Sequence, residues 1–158
     1  MVIYLAGPLF TEGERAWMRG LKQSIIDMAE RIGVAVEAMW PWEFVPQAEL
    51  DAMGEEAGKE IFRICASHLE SADMLIALLD GPLVDDGTAW EIGFFYRHRG
   101  AEHRPIIGIR TDIRNAGERA NSIANAMIEH SCDHIFHSRE DLLSHLRDTL
   151  PGKAALTR

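Results

Sequence analysis

The chain has 158 residues, 47% hydrophobic and 26% charged, a size and balance that fit one soluble folded domain with a single core. Its 16 Lys and Arg against 25 Asp and Glu give a formal charge of −9, which argues against a nucleic-acid backbone or an anionic membrane as the main partner. A neutral or cationic small molecule suits such a surface better.

The amino terminus, MVIYLAGPLF, has no basic region and reaches Gly7-Pro8 too early for a secretory signal. No stretch approaches the roughly 20 apolar residues of a transmembrane helix. Cys65 and Cys132 form neither a CxxC pattern nor a disulfide framework, so a reducing cytoplasm is the expected compartment.

Residues 2–6, VIYLA, predict a strand buried on both faces and broken by Gly7-Pro8. Thr11 and Glu14 have the spacing of a capping box, and Trp17, Leu21, Ile25, Met28 and Ile32 recur at helical spacing. A helix is therefore predicted over 12–32, with Gly33 as its stop. Residues 34–39 predict a second strand. The cluster from Trp40 to Phe44, with Pro41 and Pro46, predicts an irregular loop. A helical period returns from about 55 to 71, with Ile61, Ile64, Cys65, His68 and Leu69 on one face.

Residues 73–79 predict a third strand, followed by a loop holding Asp80, Asp85 and Asp86. Thr88 to about His98 then reads as a helix, closed by positive charge and Gly100. A fourth strand is predicted over 105–110, a polar loop over 111–117, a helix over 118–129 and a short strand over 134–136. A last helix over 138–150 has Ser138 as cap, and the tail 151–158 is expected to fray.

This alternation implies an α/β fold: a doubly wound, flavodoxin-like or Rossmann-like five-stranded parallel sheet with helices on both faces. Residues 7–11, the Trp40 to Trp42 loop, the acidic loop and Arg110 to Arg114 then share one rim, where a ligand belongs. Gly7 is not part of a GxGxxG, which disfavours a dinucleotide site.

Glu91 carries two competing readings. Thr88-x-x-Glu91 has capping-box spacing, so the carboxylate can simply bond back to the helix start. Alternatively the helix terminus holds it ionised and aims it into an aromatic-lined pocket, where it attacks carbon and forms an ester-like intermediate. Tyr4 bears on the choice. A phenol in an aliphatic strand needs a partner if buried, either backbone or, if strands one and three are adjacent, Glu91.

Within the acidic loop, Asp86 is expected to take the turn or cap role and Asp85 to meet a ligand hydroxyl or base nitrogen. Asp73 is expected at the start of its strand, in a structural role. Trp40 and Trp42 suit either stacking on a base or plugging the core edge. The surplus of carboxylates weighs against a 5′-phosphate, although Arg110 and Arg114 can offset it if they are not solvated or interface residues. His130, Cys132, His134 and His137 cross a helix end, a strand and a cap, which does not match zinc-ligand spacing. Neither a metal nor a cofactor is expected.

IYLAGPLFT at 3–11, LLDG at 78–81, DDGTAWEIG at 85–93, RTDIR at 110–114 and NAMI at 125–128 together resemble the nucleoside 2-deoxyribosyltransferase family. The resemblance runs from residue 3 to about 128 and implies a single domain of this type over 1–150. It implies Glu91 as nucleophile, Tyr4 as the phenol that positions it and Asp85 as a catalytic-site aspartate in contact with substrate. Gly7, Pro8, Phe10, Trp40, Asp80 and Gly87 are expected around the substrate. Asn125 is expected to reach the neighbouring subunit's site in a homo-oligomer and hold the sugar.

One position departs from the family's pattern. Relatives commonly carry an aspartate eight residues before the strand-three aspartate, taken to handle the proton on the leaving base, where this chain has Cys65. A neutral thiol matches that task poorly, which leaves Asp85, His68 or a water.

The resemblance implies transfer of 2-deoxyribose between nucleobases by a retaining double displacement through a glutamyl-deoxyribose intermediate, with a deoxynucleoside and a free base as partners. The same residues acting with water would make an N-glycosidase of nucleosides or deoxynucleotides. A non-catalytic nucleoside-binding module is the reading from a different class.

Overall fold

The computed structural model describes residues 1–100 and 104–150; the expectation of a frayed tail over 151–158 lies outside them. Five parallel strands, β1 (Val2–Ala6), β2 (Glu37–Met39), β3 (Met74–Leu78), β4 (Ile106–Ile109) and β5 (His134–Phe136), form one sheet in the order β2-β1-β3-β4-β5. The helices are α1 (Glu12–Ile32), α2 (Gln47–Met53), α3 (Ala57–Ser71), α4 (Asp86–His98), α5 (Ala126–Glu129) and α6 (Arg139–Thr149). This is the expected doubly wound sheet. The winding reverses between β1 and β3, which opens a crevice at their carboxyl ends.

Strand alternation sorts the apolar residues into two cores. Ile3 and Leu5 of β1 and Met74, Ile76 and Leu78 of β3 pack with Met18, Leu21 and Ile25 of α1 and Leu142 and Leu146 of α6. Tyr4, Ala6, Leu75 and Ala77 face the other way, with Leu69 of α3 and Ile92 and Phe95 of α4. Each fully buried Leu, Ile or Phe contributes about 1.5–3 kcal/mol, so a one-residue slip of either strand would exchange the two faces at prohibitive cost. The pairing of Tyr4 with Leu75 therefore fixes the phenol on the α3 and α4 side.

Local signals place several boundaries as expected. The Thr11–Glu14 capping box is present, and Gly33 ends α1 with a left-handed φ of 73°. Ser138 caps α6 by accepting from the Asp141 N–H. Asp73 is structural: its Oδ2 accepts from the Val2 N–H at 2.7 Å, and its own N–H donates to the Val2 carbonyl at 2.8 Å. These bonds tie β1 to β3 at their amino ends, away from the rim.

Elsewhere the structure departs from expectation. The second strand is only Glu37–Met39, and the loop after it contains α2, whose seven residues are too few to carry a helical period. The helix predicted over 118–129 is reduced to Ala126–Glu129. Asn121 adopts a left-handed φ of 72°, and the Ala116 N–H donates to the Ser122 carbonyl at 3.0 Å, closing a loop where helix was expected. A Cβ on Gly117 would lie 2.3 Å from the Ala124 carbonyl oxygen, so that turn requires glycine. Asn and Ser compete for backbone hydrogen bonds and favour such turns over helix.

Arg110 is also placed differently from either expectation. It is 1% exposed, and its guanidinium donates to the carbonyls of Leu79, Gly81 and Arg114. It braces the loops after β3 and β4 and is neither solvated nor presented to a ligand.

Candidate active site

Tyr4 is fully buried on β1, yet its hydroxyl reaches across to α4 and donates to Glu91 Oε1 at 2.5 Å. Such short bonds to a carboxylate are charge-assisted and stronger than neutral ones. The phenol ring lies 6.1 Å from Phe44, which stacks on His68 at 4.1 Å. The Cys65 thiol on α3 lies near enough to the same phenol for each to shift the other's ionisation. Three elements distant in sequence thus converge on one phenol.

The start of α4 explains why Glu91 is available. Asp85, not Thr88, is the cap: its Oδ2 accepts from the Thr88 N–H at 2.9 Å and from the Thr88 hydroxyl at 3.0 Å. The helix therefore begins at Asp86, and Glu91 lies beyond the first turn with no free helix N–H to satisfy. The capping-box reading of Glu91 does not hold, and the roles expected of Asp85 and Asp86 are exchanged with respect to the cap. Gly87 keeps this turn open, since a Cβ there would lie 3.2 Å from Asp85 Oδ2.

Electrostatics follow from this geometry. Burial pushes Glu91 up to about 7, the Tyr4 hydrogen bond opposes the rise and the Asp85 charge adds to it. Burial and the neighbouring carboxylate drive Tyr4 far above its usual range, so it remains a donor. Burial likewise raises Cys65, the phenol pulls it back and Glu91 raises it further, which keeps the thiol protonated near neutral pH.

Beside this cluster lies a cavity of about 750 Å³ between the segment after β2 and the face of α3. Its walls are largely apolar, from Leu9, Trp42, Phe44, Val45, Leu50, Ile61 and Ile64, and Cys65 belongs to both the wall and the Tyr4 cluster. The volume suits a small organic ligand. Glu43, bonded to Lys22, and Asp51, which accepts from Gln47 at 2.8 Å, supply carboxylates to the lining.

The remaining predicted site residues are spread over several roles. Trp40 is 1% exposed and sits in the α1-side core, so Trp42 is the tryptophan that lines the cavity. Asp80 is taken by the next loop, accepting from the Thr111 N–H at 2.6 Å, the Thr111 hydroxyl and the Asp112 N–H at 3.0 Å. Gly7 and Pro8 are buried behind the rim, and a Cβ on Gly7 would press Leu78 and Met18 at 3.1 Å. Phe10 is 71% exposed beside the first turn of α1. Asn125 is exposed and caps α5 by accepting from Met127 N–H and donating to Glu118.

Sequence reasoning missed the contribution of α2 to the cavity. Pro46 just before it and the Gln47–Asp51 pair one turn apart were the available signals. Among the described residues, no cluster of His, Cys, Asp and Glu is arranged to hold a metal.

A model of the nucleoside 2-deoxyribosyltransferase family matches residues 3–127. The chain is 27% identical to a 2-deoxyribosyltransferase from Bacillus psychrosaccharolyticus, with a TM-score of 0.70 over 97% of this chain and 98% of that one. A conserved protein from Enterococcus faecalis V583 is 25% identical, with a TM-score of 0.69 over 95% of this chain and 99% of the other. The fold is shared with a CMP N-glycosidase from Clostridium botulinum at 17% identity and a TM-score of 0.52, covering 92% and 98% of the two chains. No curated protein matches the chain. With the family pattern running from β1 through α5 and the fold shared along nearly the whole chain, the protein belongs to the nucleoside 2-deoxyribosyltransferase family of enzymes.

Proposed function

We propose that the protein transfers 2-deoxyribose from one nucleobase to another through a covalent intermediate on Glu91. The observation that carries this reading is the 2.5 Å bond from Tyr4 to Glu91 Oε1 beside an apolar cavity. The phenol holds one oxygen and leaves Oε2 to attack the anomeric carbon C1′. As the C1′–N bond breaks, its electron pair stays on the departing base and the oxocarbenium-like centre collapses onto Glu91. A second base then attacks C1′ from the face the first one left, breaking the ester and giving net retention.

The leaving and entering bases occupy the cavity against Trp42 and Phe44, where aromatic faces suit a planar heterocycle. The two bonds that Thr88 donates to Asp85 both end on Oδ2, and Oδ1 serves a hydroxyl of the sugar. The substrate is an uncharged nucleoside. Arg110 is locked onto carbonyls and Arg114 is paired with Asp112, so neither balances a 5′-phosphate near Asp80, Asp85 and Asp86. The catalytic unit is a single domain over 1–150, and in a homo-oligomer Asn125 completes a neighbour's site.

The test is incubation of the protein with deoxyuridine, with and without a second free base, followed by chromatography of the products. Exchange that requires the second base is the expected result. Base release without it would identify hydrolysis, and binding without turnover would overturn the enzymatic reading.

A further inference from the structure

Cys65 lies where the cavity meets the Tyr4–Glu91 pair, on the α3 face that also presents Ile61 and Ile64. A base seated in the cavity and bonded to a sugar at Glu91 must pass this position. The other carboxylates of the lining are committed and exposed: Glu43 to Lys22, and Asp51 to Gln47. His68 stacks on Phe44, bonded through Nδ1 to the Ile64 carbonyl, and is not part of the cavity wall. Tyr4 has a single proton, and it is directed to Glu91. The inner wall therefore presents a thiol and hydrocarbon to the departing base.

A base can leave a sugar in two ways. Either an acid supplies a proton as the C1′–N bond breaks, or the base departs as an anion and takes its proton from water afterwards. The first route needs a well-matched acid, which typically contributes about 10²–10⁴-fold. A thiol whose conjugate base would form beside a carboxylate in an apolar wall is a poor acid for this purpose.

We propose that Cys65 is a specificity-determining residue that confines efficient transfer to bases able to leave as stabilised anions, pyrimidine-2,4-diones ahead of aminopyrimidines. This rests on the transferase reading of the same site. In a dione the electron pair left on N1 spreads onto the adjacent C2 carbonyl and, through the C5=C6 double bond, onto the C4 carbonyl. In cytosine an amino group replaces one of them and the anion is far more basic. Uracil and cytosine have nearly the same shape, so cavity fit does not separate them. The bond balance is complete: C1′–N breaks, C1′–O forms on Glu91 and the base anion takes a proton from water in the open cavity; the entering base then gives its N–H proton to water as its nitrogen forms the new C1′–N bond and the C1′–O bond to Glu91 breaks.

The experiment compares kcat/KM for deoxyuridine, its 5-fluoro and 5-methyl analogues and deoxycytidine, at one acceptor concentration. The expected result is a rate that rises with the acidity of the leaving base, with deoxycytidine slower than deoxyuridine by about 100-fold, the low end of a missing general acid. Cys65→Asp is expected to raise deoxycytidine turnover by about tenfold or more relative to deoxyuridine, and Cys65→Asn, of the same shape but without the acid, is expected to leave the deoxycytidine penalty in place. Turnover of all four substrates with no dependence on base acidity overturns the inference and leaves the transferase reading intact. An absence of turnover with every substrate overturns both. If Cys65→Asp does not fold, the substrate series on the unaltered protein still decides.

Discussion

Asp85 Oδ2 accepts both the N–H and the hydroxyl of Thr88, and this pair of bonds sets the start of α4 three residues before the position that Thr88-x-x-Glu91 spacing implies. The consequence is chemical. A glutamate at the third helical position would share its oxygens with backbone N–H groups, whereas Glu91, one turn further, gives one oxygen to Tyr4.

The first prediction concerns that oxygen pair. Glu91→Gln keeps the size of the side chain and removes the proposed nucleophile, so kcat/KM should fall by about three orders of magnitude or more with the far-UV spectrum unchanged. An active Glu91→Gln enzyme would remove Glu91 from the bond-making step.

In the proposed reaction Glu91 attacks as the carboxylate, so kcat/KM should rise with pH through about 7. Tyr4→Phe removes the bond that favours the anion and should move this limb to higher pH by about one unit. A limb that stays in place would mean that another group controls it.

Asp85 has two separable roles. Asp85→Asn keeps an acceptor for Thr88 but removes the charge that raises Glu91, so the limb should move to lower pH at little cost in stability. Asp85→Ala should in addition lose about 1 kcal/mol as the cap is removed, measured by urea unfolding.

The same shift predicts a pH dependence of stability. Because the folded protein holds the Glu91 proton up to about 7 and the unfolded chain releases it near 4.5, ionisation in between opposes folding. Stability from this group is fully present below about 4.5 and is lost as pH rises toward 7. Glu91→Gln should therefore be more stable than the parent at pH 8, by up to about 3 kcal/mol, and the gain should vanish at pH 4. Chemical denaturation at the two pH values measures it.

Arg110 gives a prediction about stability alone. Arg110→Met leaves the carbonyls of Leu79, Gly81 and Arg114 without their donor and should cost about 3 kcal/mol or more. A large rise in KM with unchanged stability would instead place Arg110 at the substrate.

By itself the sequence determined the sheet and its winding. VIYLA, MLIAL and IIGI are continuous apolar runs, and α1 and α6 carry their caps and periods within a few residues, so local chemistry was enough. It also singled out Tyr4 and Glu91, because a phenol in an aliphatic strand and a glutamate after an acidic turn are conspicuous in one dimension. Their meeting was decided only by the tertiary structure, through the register of β1 on β3 and the cap at Asp85. The contacts of Asp80, Trp40 and Arg110 within the fold were decided in the same way. Each was placed by rim position in the sequence, but a loop, a core and a set of carbonyls from distant segments hold them. The cavity wall from α2 was equally illegible, since a seven-residue helix is stabilised by what it packs against and leaves little period of its own.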